Sequence, residues 1–338
     1  MPARHAIAAS LAASVAVSAL AAGQSPGDDL EARKRAFARD TEIDYPENNP
    51  PNADRIALGK ALFFDPRLSR AHVQSCASCH NPAFSWGDGL PVGVGDGMEE
   101  LARRSPTILN IAWAAILMWD GRADTLEHQA LGPITAEVEM NMPETELIDR
   151  LEAIEGYRPL FTAAFGDPEI DGDRIARAIA AFERTVVSGI APFDRWVEGD
   201  EHAISEAAKR GFELFTGKGK CADCHDTWRF TDDGFYDIGI DTDDIGRAEH
   251  VPIPSMQHAF KTPTLRNVEL RGPYMHAGQI ETLREVVVHY EEGGVERPSR
   301  SDKVGGLGLT ERDIDDLVAF MRTLTSHDAP VTVPVLPR

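Results

Sequence analysis

Two five-residue strings, Cys76-Ala77-Ser78-Cys79-His80 and Cys221-Ala222-Asp223-Cys224-His225, contain all four cysteines of the 338-residue chain. In each, two thiols stand three positions apart and an imidazole follows directly. Disulfides, a zinc site and covalent haem attachment compete for such residues. Disulfides and zinc leave the histidines unexplained, and a four-cysteine zinc site split so widely along a chain is unusual. The chain has 11 histidines, so chance places one after both pairs with odds of roughly one in a thousand, whereas the haem-attachment pattern C-x-x-C-H requires it. Cys76 and Cys79 would bond the two vinyl groups of one porphyrin, with His80 reaching its iron. Cys221, Cys224 and His225 would hold a second haem c in the same way. Two covalent haems make electron transfer or redox catalysis the functional class.

Such clasps need elements that hold two porphyrins in place. The segments ADRIALGKALFF, ELIDRLEAI, RIARAIAAFERTVV, SEAAKRGFELF, TLREVVVHY and ERDIDDLVAFMRTL carry apolar residues at i, i+3 and i+4, and long alternating strand patterns are absent. The spacing predicts a mostly α fold of two cytochrome c-like haem domains with long loops. Each half follows one plan: a helix ending in LFF or LF, a short loop, a clasp and further helices. The Gly/Asp-rich stretches GDGLPVGVGDG and DDGFYDIGIDTDDIG read as loops carried by contact with the porphyrins. Pro192 marks the boundary, giving a first haem domain over 51–190, a second over 191–326 and a tail over 327–338. Residues 22–50 are polar, end in PENNPP and read as a linker.

Arg4 and His5 precede the run IAASLAASVAVSAL, and Ala19-Leu20-Ala21 offers a small-residue cleavage site. Residues 1–21 therefore read as a secretory signal peptide, and the expected location is periplasmic. No apolar run reaches the length of a membrane span. The net charge of −21 argues against nucleic acid, whose phosphates demand a basic face. It is compatible with the encounter of a basic or dipolar protein partner.

LGKALFFDPRLS before the first clasp, RRSPTILN, MWDGR and QALGPITAEVEM after it, SGIAPFDRW at the boundary, RGFELF before the second clasp and KTPTLRNVELRGPYMHAGQIETLREVVVHY near the end occur in one order. Together they resemble the bacterial di-haem cytochrome c peroxidases and their MauG-like relatives, over nearly the whole mature chain. The resemblance implies that the first haem, with His80 as proximal ligand, is peroxidatic and open on its distal face. In the peroxidases a histidine in a G-H-G loop can close that face; the matching loop here is Gly95-Asp96-Gly97, and His72 precedes the clasp. Splitting peroxide needs a group that moves a proton between its oxygens, work suited to a poised carboxylate. Residue types alone do not rank Glu139 against Glu137. The resemblance implies Glu139 with Gln129 as the distal pair, and Pro133 bordering the same pocket.

For the second haem, held by His225, Met275, His276, His258 and Tyr290 are all candidate distal ligands on residue type. The resemblance implies the residue fourteen after His276, which is Tyr290, as in MauG, where the peroxidases carry methionine. Trp119 matches the family's bridging tryptophan. MauG has a surface tryptophan two residues before its second clasp; here Gly219 takes that position, with Trp228 a possible substitute. The resemblance also implies a calcium ion between the haems, bound by the carbonyls of Arg271 and Pro273. Its side-chain amide ligand is replaced by Arg104, leaving Asn110 or water to supply the missing oxygen.

The expected function is reduction of hydrogen peroxide at the first haem. Electrons would arrive through the second from a small cytochrome c, a copper protein or a protein substrate. Two other classes stay open on the residues. A non-catalytic di-haem electron carrier requires both irons to be six-coordinate. A haem-based sensor does not need the Glu/Gln pair.

Overall fold

The computed structural model describes residues 26–338, so the signal segment expected at 1–21 lies outside the described residues. Helices make up nearly all of the regular structure of the described residues. The helices are α1 (Pro26–Ala36), α2 (Ala53–Phe63), α3 (Cys76–Cys79), α4 (Leu126–Thr135), α5 (Glu144–Glu152), α6 (Tyr157–Phe165), α7 (Gly172–Glu183), α8 (Pro192–Val197), α9 (Glu206–Phe215), α10 (Leu283–Glu292) and α11 (Glu311–Arg322), with short 3-10 turns between them. One antiparallel pair, β1 (Phe235–Tyr236) and β2 (Phe260–Lys261), lies in the loops of the second half.

Two apolar cores form, one on each side of residues 187–192. The first gathers Leu58, Leu62 and Phe63 of α2, Ile175, Ile179 and Phe182 of α7, and Tyr157 and Phe161 of α6. The second gathers Phe212 and Phe215 of α9, Leu317 and Phe320 of α11, Phe193, Trp196 and Phe230. Each fully buried aromatic contributes about 1.5–3 kcal/mol of apolar transfer. Both cores use the same joint. A Cβ on Gly59 would overlap the Ala178 carbonyl of α7, and a Cβ on Gly211 would overlap the Asp316 carbonyl of α11. Glycine is required there because the two helix backbones nearly touch.

The halves repeat in detail beyond the shared plan. A constant step of 157 residues relates Pro106-Thr107 to Pro263-Thr264, Asn110 to Asn267, Met118 to Met275, Gly121 to Gly278 and Thr125 to Thr282. The backbone follows. Asn110 and Asn267 both adopt left-handed φ, near +59° and +57°, as do Met118 and Met275, near +70° and +71°. Asn110 Oδ1 accepts the Ser188 amide at 2.9 Å, and Asn267 Oδ1 accepts the Ser326 amide at 2.8 Å. Thr125 and Thr282 are the N-caps of α4 and α10. α4 packs on α7 as α10 packs on α11.

Two expectations about the ends need correction. Residues 22–50, read as a linker, contain α1, and Phe37 just beyond it is buried in the second core, stacked on Phe230 at 4.9 Å. Lys34 is 2% exposed, with Nζ over Trp196 and ion-paired to Glu31 and Glu201. The polar composition of this stretch hid its few anchoring residues. Residues 327–338, read as a tail, return to the first half: Asp328 accepts the Gly189 amide, Val331 packs on the first core, and the Arg338 carbonyl accepts the Gly156 amide at 2.8 Å.

Candidate functional site

In both clasps the histidine amide closes onto the carbonyl of the first cysteine, at 2.9 Å in each. That turn fixes the imidazole relative to the two thiols. The Nδ1–H of His225 donates to the Phe230 carbonyl at 2.9 Å, which leaves Nε2 as the free lone pair. Burial lowers the pKa of both His80 and His225, so each ring is neutral and able to ligate a metal. His80 Nδ1 is buried without a partner.

A single cavity of about 860 Å³ is lined by both clasps, Trp119, Gln129, Glu139 and Tyr290. Its residues fit covalent haem. It has free thiols at both clasps, neutral imidazoles beside them and mainly apolar walls. The zinc alternative fails, because among the described residues the cysteines do not converge with other ligands. Among the described residues the one carboxylate and histidine cluster compact enough for a metal is Asp120, Glu249 and His250. Asp120 is taken there by Arg103 and Arg122.

At the first clasp α4 presents Gln129 and Pro133 to the cavity, and the following turn presents Glu139. Gln129 Nε2 lies 3.7 Å from Met118 Sδ. Burial raises the Glu139 pKa, partly opposed by Arg122, and its charge reaches Cys79. Glu137 is exposed and does not line the cavity, so the structure ranks two residues that type alone could not. The Gly95-Asp96-Gly97 loop is anchored beside this turn, with the Asn141 amide donating to Asp96 at 2.8 Å. His72 is exposed and outside the cavity.

At the second clasp Tyr290 and Met275 line the cavity, and His276 does too. His276 is engaged elsewhere. Its ring stacks on Phe260 at 3.8 Å, Nε2 bonds the Gln279 side chain at 3.0 Å, and burial lowers its pKa to about 4. His258 Nδ1 bonds the Asp244 carbonyl at 2.8 Å, and His258 does not line the cavity. Tyr290, on α10, lines the cavity with Cys221, Cys224 and His225, and burial, then the charges of Cys224 and Cys221, raise its pKa. The 157-residue step equates Tyr290 with Pro133 and Met275 with Met118. That equivalence was missed in reading the sequence; the paired P-T strings at 106 and 263 carried the signal.

Trp119 lines the same cavity as both clasps. Its indole N–H donates to the Arg104 carbonyl at 3.0 Å, and its own carbonyl accepts the Lys261 amide at 2.8 Å. Trp228 does not replace a surface tryptophan at Gly219. It is 6% exposed, with the guanidiniums of Arg39 and Arg266 over its ring.

The calcium expectation does not fit these residues. Its carbonyl donors, on Arg271 and Pro273, are present, but the amide position is Arg104, and the guanidiniums of Arg104 and Arg271 line the same cavity. Burial, with Arg104 beside it, lowers the Arg271 pKa to about 9. Asn110, the alternative oxygen donor, is spent on Ser188, accepting its amide and donating to its hydroxyl. Fixed positive charge stands where a hard dication needs anionic or carbonyl oxygen.

Comparison with known proteins agrees with this arrangement. Residues 53–202 match the family described as di-haem cytochrome c peroxidase, and residues 208–325 match cytochrome c. The methylamine utilization protein MauG of Methylorubrum extorquens is 52% identical, over 94% of this chain and 92% of that protein. The cytochrome c551 peroxidase of Nitrosomonas europaea is 36% identical over 85% of each chain. Among solved structures, a MauG-like protein associated with microbial copper homeostasis superposes with a TM-score of 0.79 at 30% identity, over 85% of this chain and 93% of that one. The diheme peroxidase BthA from Burkholderia thailandensis gives 0.73 at 26%, over 82% and 87%. Among the described residues no helix is long and apolar enough to cross a membrane. The chain belongs to the di-haem cytochrome c peroxidase and MauG family, and is an oxidoreductase of the di-haem peroxidase type built to carry two haem c groups.

Proposed function

We propose that this protein is a periplasmic oxidase of the MauG type. It would consume hydrogen peroxide at the first clasp and draw electrons through the second, from a small redox protein or from a protein substrate. The observation that carries this reading is the unequal furnishing of two equivalent positions: Pro133 at the first clasp and Tyr290 at the second, in one cavity. A proline side chain offers no ligand atom, whereas a phenol can deprotonate and bind a ferric centre. When bound, covalent haem supplies the iron redox chemistry.

The chain's own groups supply the rest. Glu139, half-buried in the cavity wall and held protonated more readily by desolvation, would move a proton between the two oxygens of peroxide. Gln129 adds an amide that can orient the substrate. His80 and His225, both neutral, would hold the two haem irons. Trp119 places an oxidisable indole in the cavity that both clasps line, fixed by its bonds to Arg104 and Lys261.

Purified protein loaded with both haems would be mixed with one equivalent of peroxide and followed in the visible range. A long-lived spectral change at both haems supports oxidation of a protein substrate. Rapid decay that depends on added cytochrome c or copper protein points instead to peroxide detoxification. No reaction leaves an electron carrier.

A further inference from the structure

Five arginines line the cavity: Arg103, Arg104, Arg122, Arg229 and Arg271. Three of them have carboxylate partners. Arg103 pairs with Asp120 and Asp244, Arg122 with Asp120, and Arg229 with Asp233. Arg104 and Arg271 have none among the described residues. Arg104 is 8% exposed, and Arg271 Nε is buried without any hydrogen-bond partner. Asp88, whose charge reaches Arg104, is turned to the backbone amides of Leu90 and Ser105.

A guanidinium does not give up its proton in a protein, so burying it without an anion is costly, and two together repel as well. The pair is also fixed in place. The Arg104 carbonyl accepts the Trp119 indole N–H at 3.0 Å, and its amide donates to the His276 carbonyl at 2.8 Å. Arg271 donates through Nη2 to the Thr264 carbonyl. The Arg104 backbone thus joins the two halves, and the two guanidiniums are near enough for the charge of Arg104 to reach Arg271. The anions that enter this cavity with two porphyrins are their propionate carboxylates, and forked N–H donors match carboxylates best.

We infer that Arg104 and Arg271 form a carboxylate-binding site for haem propionates between the two clasps, providing by guanidinium charge what a divalent cation would otherwise provide. The inference rests on the di-haem reading. Its consequence is that this protein neither needs nor binds calcium at that place.

The test uses the purified holoprotein. Metal analysis after passage through chelator should find far less than one calcium per chain, with both haem spectra, the thermal midpoint and peroxide turnover unchanged when calcium is added back. The double variant Arg104→Asn, Arg271→Thr restores an amide oxygen and removes both charges. It should gain a calcium-dependent rise in thermal midpoint. The single variants Arg104→Gln and Arg271→Gln should lower at least one haem midpoint potential, because loss of a nearby positive charge favours the oxidised, more positive iron. A tightly held calcium in the wild-type protein overturns the inference, as do unchanged potentials in both glutamine variants. Either result, with two haems attached and peroxide turnover intact, leaves the proposed function standing.

Discussion

Pro133 and Tyr290 hold the same place in the two halves of the molecule, each eight residues after the threonine that caps its helix. One position carries a ring with no ligand atom, and the other a half-buried phenol that lines the cavity shared with the second clasp. Pro133 also removes the amide that would have bonded the Gln129 carbonyl one turn back, loosening the helix where the distal amide stands.

Placing a histidine at the proline position should therefore close the first site. Pro133→His is expected to convert the first haem to a low-spin, six-coordinate spectrum and to abolish most peroxide turnover, with the second haem unchanged. A first haem that stays high-spin and fully active in electron paramagnetic resonance and turnover assays refutes the equivalence.

Glu139→Gln keeps the shape of the side chain and removes its proton-transfer ability. Peroxide turnover should fall by about 10²–10⁴-fold, with both haems still attached. Glu137→Gln, exposed and outside the cavity, should behave as wild type. Equal losses in the two variants would show that general acidity, not position, had been disturbed.

Trp119→Phe removes an indole that lines the cavity of both clasps and its bond to the Arg104 carbonyl. Oxidation of an added donor should slow sharply while the initial reaction with peroxide at the first haem is retained. Stopped-flow absorbance separates the two. Donor oxidation at the wild-type rate eliminates the bridging role.

Glu183 is 4% exposed, lines the cavity and leaves one carboxylate oxygen without a partner. Burial raises its pKa to about 8, against the opposing charge of Arg184. A carboxyl whose folded pKa is raised binds its proton more tightly when folded, so it favours the folded state at low pH. That contribution is lost as pH rises from the unfolded carboxylate range through about 8, at most about 5 kcal/mol. Glu183→Gln should flatten the decline of thermal midpoint between pH 5 and 8; a parallel decline in both proteins rules out this group as its cause.

Local covalent chemistry is written in short strings, and so the sequence alone determined the two C-x-x-C-H clasps and the helix-dominated character. C-x-x-C-H needs no distant partner, and 3.6-residue periodicity shows on its own. Only tertiary structure could separate Glu139 from Glu137, because burial of a loop carboxyl depends on what packs over it. The same holds for the distal candidates: His276 is spent on Phe260 and Gln279, and His258 on a backbone carbonyl, bonds that join residues far apart in the chain or set by one turn's geometry. Arg104 and Arg271, read as flanking a metal, line one cavity with no carboxylate partner among the described residues, because the sequence carries their identities but not what packs around them. Phe37 and Val331 show the same limit, for an isolated apolar residue in a polar stretch has no period to announce that it anchors a segment to a core.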